Sequence, residues 1–210
     1  MIEYLIFSTI YFILIIGIKD FSGYFDYFKR FILTSLFMLV ASIPLFLVAK
    51  YYLGFTLEFN SLFLCLLVIT IILIVVFKLL NKKYSARMDT RFLVSKFFEI
   101  VLQQSFILVS VLIINSTGLG YYSIFVFAVF FGILHTLNFL FMPKKRAFYF
   151  NLFSFLGAVI FYVLITFIKN GLWLSFFVHY LFYLGIAIET CFNKKSVFNG
   201  KTIGPQLKKR

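Results

Sequence analysis

Long apolar runs, most of them near twenty residues and almost free of charge, divide this chain between short polar stretches. About twenty residues is what an α-helix needs to cross roughly 30 Å of hydrocarbon. Seven such spans are expected, at about 2–18, 31–49, 61–80, 92–114, 121–142, 148–168 and 172–192. The runs are apolar on every face, whereas a membrane β-barrel alternates polar and apolar positions over segments of roughly ten residues. Composition closes off the soluble alternative: 63% of residues are hydrophobic and 13% charged, more apolar surface than a soluble domain of this length can bury. The expected fold is therefore an all-α polytopic membrane protein, a single helical domain over 1–192 followed by a basic tail at 193–210.

The turns fit this division. Gly23, Gly54, Gly118, Gly120 and Gly171 fall between spans, where the chain must reverse. Pro143 ends the fifth span by disfavouring helix in the residue before it, and Pro44 should bend the second. The first run begins at once, carries Glu3 rather than a basic leader and lacks a small-x-small cleavage site, so it reads as a retained helix. Cys65 and Cys191 fall near opposite faces, too far apart for a disulfide.

The net charge is +13, and its distribution sets an orientation. Of the 20 Lys and Arg, all but Lys50 and Lys169 fall on one side when seven spans are threaded. The positive-inside rule makes that side cytoplasmic, with the amino terminus outside and the carboxy terminus inside a multi-pass cell-membrane protein. The basic tail, from Lys194 to Arg210, suits contact with anionic lipid. No arginine-rich arm, zinc spacing or RNA-recognition motif accompanies the charge, so nucleic acid is not an expected partner.

Three ionisable residues break the apolar runs: Glu99 in the fourth span, His135 in the fifth and His179 in the seventh. Such groups are costly at that depth and usually face a bundle interior or a water-filled cavity. Each has a polar companion at helical spacing: Gln103 four residues after Glu99, Asn138 three after His135, Tyr183 four after His179. At 1.5 Å per residue, Glu99 and His135 should lie roughly 6–8 Å to the cytoplasmic side of their span centres, and His179 about 3 Å to the outer side. One carboxylate and two imidazoles suit proton transfer or hydrolysis.

The run Phe131-Gly-Ile-Leu-His135, read as Phe-x-x-x-His with Thr-Leu-Asn138 after it, resembles a signature of the CPBP family, the CAAX-protease and bacteriocin-processing (Abi) membrane proteins. Glu99 and His179, 36 residues before and 44 after His135, stand where the family's Glu-Glu-x-x-x-Arg and His-x-x-x-Asn helices would place them. The resemblance covers about 92–190. Phe98 replaces one family glutamate, Gln103 the arginine and Tyr183 the asparagine. The resemblance implies an intramembrane endopeptidase in which Glu99 is the general base activating a water, and His135 and His179 position that water or stabilise the oxyanion. Gln103, Phe131, Asn138 and Tyr183 would support them, the Tyr183 hydroxyl standing in for the missing asparagine. The implied substrate is a small peptide or a membrane-tethered protein, and no cofactor is implied. One Glu and two His are also a zinc-type ligand set, the less favoured alternative. Two other functions suit the same residues, namely an inactive scaffold or bacteriocin-immunity protein on this fold, and a small transporter.

Overall fold

The computed structural model describes residues 27–56, 58–84, 90–141 and 143–192, and every regular element among them is helical. In chain order these are α1 (Tyr27–Tyr52), α2 (Ser61–Tyr84), α3 (Thr90–Ser116), α4 (Tyr122–Thr136), the single turn α5 (Asn138–Phe141), α6 (Lys144–Phe167) and α7 (Gly171–Phe192). Five of them (α1, α2, α3, α6 and α7) are long and apolar enough to cross a membrane. The expected first span and the basic tail lie outside the described residues.

The expected fifth span, 121–142, is interrupted rather than one continuous helix. Its helix stops after 15 residues at Thr136, and the Leu137 N–H donates to the Leu134 carbonyl three residues back. That is the tighter winding of a 3₁₀ turn. Asn138 begins α5, so His135 and Asn138 lie on either side of this tightened turn rather than on one continuous helix.

The bundle is built around α3. Two thirds (67%) of its apolar stretch is buried, against 11% for α2 at the periphery. Along α1, Ser35, Ser42 and Ala49 recur every seventh residue and are all buried. Small side chains let two helices approach closely where hydrocarbon supplies no hydrophobic push. On the same helix Met38, Leu45 and Ala49 pack with Leu102, Phe106, Leu108 and Val109 of α3 and with Leu134 of α4. A second cluster joins Ile107, Val111 and Ile114 of α3 to Phe127, Ala128 and Phe131 of α4 and to Ala158, Phe161 and Tyr162 of α6. A third joins Phe77 of α2 and Leu93 of α3 to Leu184, Ile186 and Ala187 of α7.

Helix α7 runs antiparallel to α3. Ala187 packs near Leu93, the Tyr180 hydroxyl donates to the Leu93 carbonyl at 3.4 Å, and Ser175 meets Gln104. The turn into α7 needs a glycine: a Cβ on Gly171 would run into the Leu164 carbonyl. At the same end, the Trp173 indole N–H donates to the Glu58 carbonyl at 2.8 Å, and its ring packs against Phe59 and Phe63. Most internal hydroxyls turn back on their own helix, as Ser42 does to Leu39, Ser105 to Leu102 and Ser110 to Phe106, which satisfies them without a partner helix. The exterior is another matter. Leu36, Val40, Ile43 and Leu47 of α1, Val68, Ile72, Val75 and Leu79 of α2, and Leu152, Leu156 and Ile160 of α6 are all exposed. A continuous apolar surface of this kind demands an apolar surrounding.

Candidate functional site

Glu99 enters from α3 and is buried. Its Oε2 lies 2.7 Å from Lys96 Nζ, one turn earlier, and its Oε1 accepts from Gln103 Nε2 at 3.1 Å, one turn later. Spacings of three and four put all three side chains on one stripe of the helix. The pair keeps only 13% and 9% of its side-chain exposure, so its charges attract with little screening by water. Gln103 Oε1 is buried and has no hydrogen-bond partner among the described residues.

Lys96 does a second thing. Its ammonium lies 4.5 Å from the centroid of the Tyr183 ring on α7, a cation–π distance. Tyr183 in turn stacks on His179, with ring centroids 5.5 Å apart and planes 26° from parallel. Phe161 of α6 packs on the same imidazole at 5.0 Å. The Tyr183 ring thus touches both the ammonium and the imidazole through its π system.

Gln104 follows Gln103 but points about 100° further round α3, toward α7. Its Nε2 donates to His179 Nδ1 at 3.0 Å and to the Ser175 carbonyl at 3.4 Å. Its Oε1 accepts from Ser175 Oγ at 2.7 Å. Gln104 and Ser175 are both fully buried. His135, in the last turn of α4, donates from Nδ1 to the Phe131 carbonyl at 2.8 Å, and its ring lies 4.6 Å from that of Phe131. Phe131 and Phe161 belong to one buried cluster, which walls the site from the bundle's far end. Asn138 is half-buried beyond the tight turn.

These helices converge: Lys96 links Glu99 of α3 to the Tyr183–His179 stack of α7, Gln104 bonds His179 directly, and the rings packed on His135 and His179, Phe131 and Phe161, share one cluster. The convergence is oblique. His179 is level with Gln104, five residues beyond Glu99, an axial offset of about 7.5 Å. Among the described residues, no group of three or more His, Cys, Asp and Glu is placed to hold a metal ion.

No family model, curated protein or solved structure matches the chain.

Five further residues stand outside the candidate set that the sequence offers. Lys96 enters the sequence argument only through the charge count, although its spacing of three before Glu99 is that of a helical ion pair. Gln104 and Ser175 carry no signal, because their pairing spans 71 residues. Phe161 is one phenylalanine among 33. Arg146, part of the same charge count, is buried in the first turn of α6. Chemically, the site offers a carboxylate paired with a cation, two imidazoles of fixed orientation, and an aromatic wall.

Proposed function

We propose that this chain is a seven-span membrane protein, amino terminus outside and carboxy terminus cytoplasmic, acting as a divergent intramembrane endopeptidase of the CPBP type. Glu99 takes a proton from a water molecule, the hydroxide attacks a peptide carbonyl, and the imidazoles of His135 and His179 orient the water or donate to the oxyanion. The proton then passes to the leaving amine. The substrate class is a small peptide or a membrane-tethered protein terminus, reached from the basic, cytoplasmic face, where anionic lipid collects. This mechanism uses no metal.

One observation carries the reading: Glu99 and His179, 80 positions apart on different helices, are joined through Lys96, 2.7 Å from the carboxylate and 4.5 Å from the Tyr183 ring that stacks on His179. Unrelated packing contacts have no reason to bring the buried Glu99 carboxylate and a histidine together across two helices. The test is peptide cleavage by purified protein in lipid. Glu99→Gln, nearly isosteric, should lower the rate at least ~100-fold, the scale of a general base, with the fold intact. Undiminished cleavage by Glu99→Gln would overturn the assignment.

The ion pair favours a second reading. Lys96 and Gln103 already engage both oxygens of Glu99, as a structural carboxylate would be engaged. On that reading the chain is an inactive scaffold or an immunity protein. Its biological effect would then survive Glu99→Gln, His135→Ala and His179→Ala combined, and loss of effect in that folded triple variant would dismiss it.

A further inference from the structure

The two imidazoles are held by partners of opposite kind. A backbone carbonyl only accepts, so His135 Nδ1, 2.8 Å from the Phe131 carbonyl, carries a proton. In the neutral ring its Nε2 is then the lone-pair side. At His179 the partner of Nδ1 is the Gln104 amide, 3.0 Å away. Which end of that amide faces the ring depends on its other neighbours. The same Gln104 atom lies 3.4 Å from the Ser175 carbonyl, which no oxygen would face, while the other amide atom receives the Ser175 hydroxyl at 2.7 Å. The NH₂ end therefore points to the ring, and His179 Nδ1 must accept. Its proton is on Nε2.

We infer that Gln104, itself oriented by Ser175, is a positioning residue that fixes His179 as the Nε2–H tautomer, so that His179 enters the site as a hydrogen-bond donor while neutral His135 enters as an acceptor. The use of this division rests on the hydrolytic reading above; the tautomers do not. In hydrolysis it makes His179 the group facing the developing oxyanion, where a fixed donor acts best. It leaves His135 to accept a hydrogen bond from the water that Glu99 deprotonates. Burial supports the assignment, since Gln104 is 2% and Ser175 0% exposed and water cannot scramble the bonds between them.

The experiment is ¹⁵N NMR of histidine-labelled full-length protein in lipid nanodiscs, read for which ring nitrogen of each histidine bears the proton. Wild type should show Nε2–H at His179 and Nδ1–H at His135. Gln104→Glu puts an acceptor where the amide donated and should switch His179 to Nδ1–H. If that variant does not fold, Gln104→Met and Ser175→Ala serve, and each should abolish the strict preference for Nε2–H. Nδ1–H at His179 in wild type, or an unaltered Nε2–H preference in the folded variants, would overturn the inference. Where cleavage is measurable, Gln104→Glu should lower kcat by about 100-fold or more, the effect of losing an oxyanion donor, with KM little changed. Failure of the protease reading would show as cleavage indifferent to Glu99→Gln, and would leave the tautomer result standing.

Discussion

At the scale of residues, the ion pair Lys96–Glu99 has a direct energetic consequence. Removing one partner of a nearly desolvated pair leaves the other charge poorly compensated, whereas removing both is far milder. Lys96→Met should therefore destabilise the protein by about 3 kcal/mol, and Lys96→Met with Glu99→Gln should recover most of that loss. Unfolding in detergent, run as a double-mutant cycle, checks this; additive losses would show that the pair is not coupled. The identity of the polar residues inside the spans was open to reading from sequence, because a charge or imidazole in an apolar run stands out. Their partners were not. Gln103 and Gln104 are neighbours in sequence, yet one turns to Glu99 and the other to His179. Only the rotation of α3 against α7 decides which is which.

At the scale of elements, close approach of helices is set by what is absent from them. Ala49 is fully buried on the face of α1 that packs on α3. Ala49→Leu forces extra atoms into that seam and should cost about 1–3 kcal/mol, measured by thermal unfolding in detergent. Val40→Leu, on the exposed face of the same helix, should change stability by less than about 0.5 kcal/mol. Gly171→Ala should resemble the first, since the new methyl meets backbone at Leu164. The helices themselves were legible because an uninterrupted apolar run leaves few alternatives. Their ends were less so. The run expected at 31–49 lies inside the longer α1, Tyr27–Tyr52, because helix continues through polar residues once nucleated. The break at Leu137 left no trace, as no glycine or proline marks it and its dihedrals stay helical, φ −59° and ψ −21°.

At the scale of the molecule, the proposed orientation places exposed Lys145 and Lys169 on opposite sides of the membrane. In a background with Cys65 and Cys191 replaced by serine, Lys169→Cys should react with an impermeant thiol reagent added outside intact cells. Lys145→Cys should react only after the membrane is opened. The reverse pattern would invert the topology, and labelling of both from outside would break the odd span count. The central place of α3 has a consequence in time as well as in space. Gln104 waits 75 residues for His179, which at roughly 5–20 residues per second of synthesis is about 4–15 s. For that interval the helix bearing Lys96, Glu99, Gln103 and Gln104 exists before α7 has been made. Its polar stripe must be sheltered meanwhile by water, lipid headgroups or the insertion machinery. Chains arrested before Ser175 should accordingly leave a cysteine at position 104 open to alkylation, and chains released at full length should hide it.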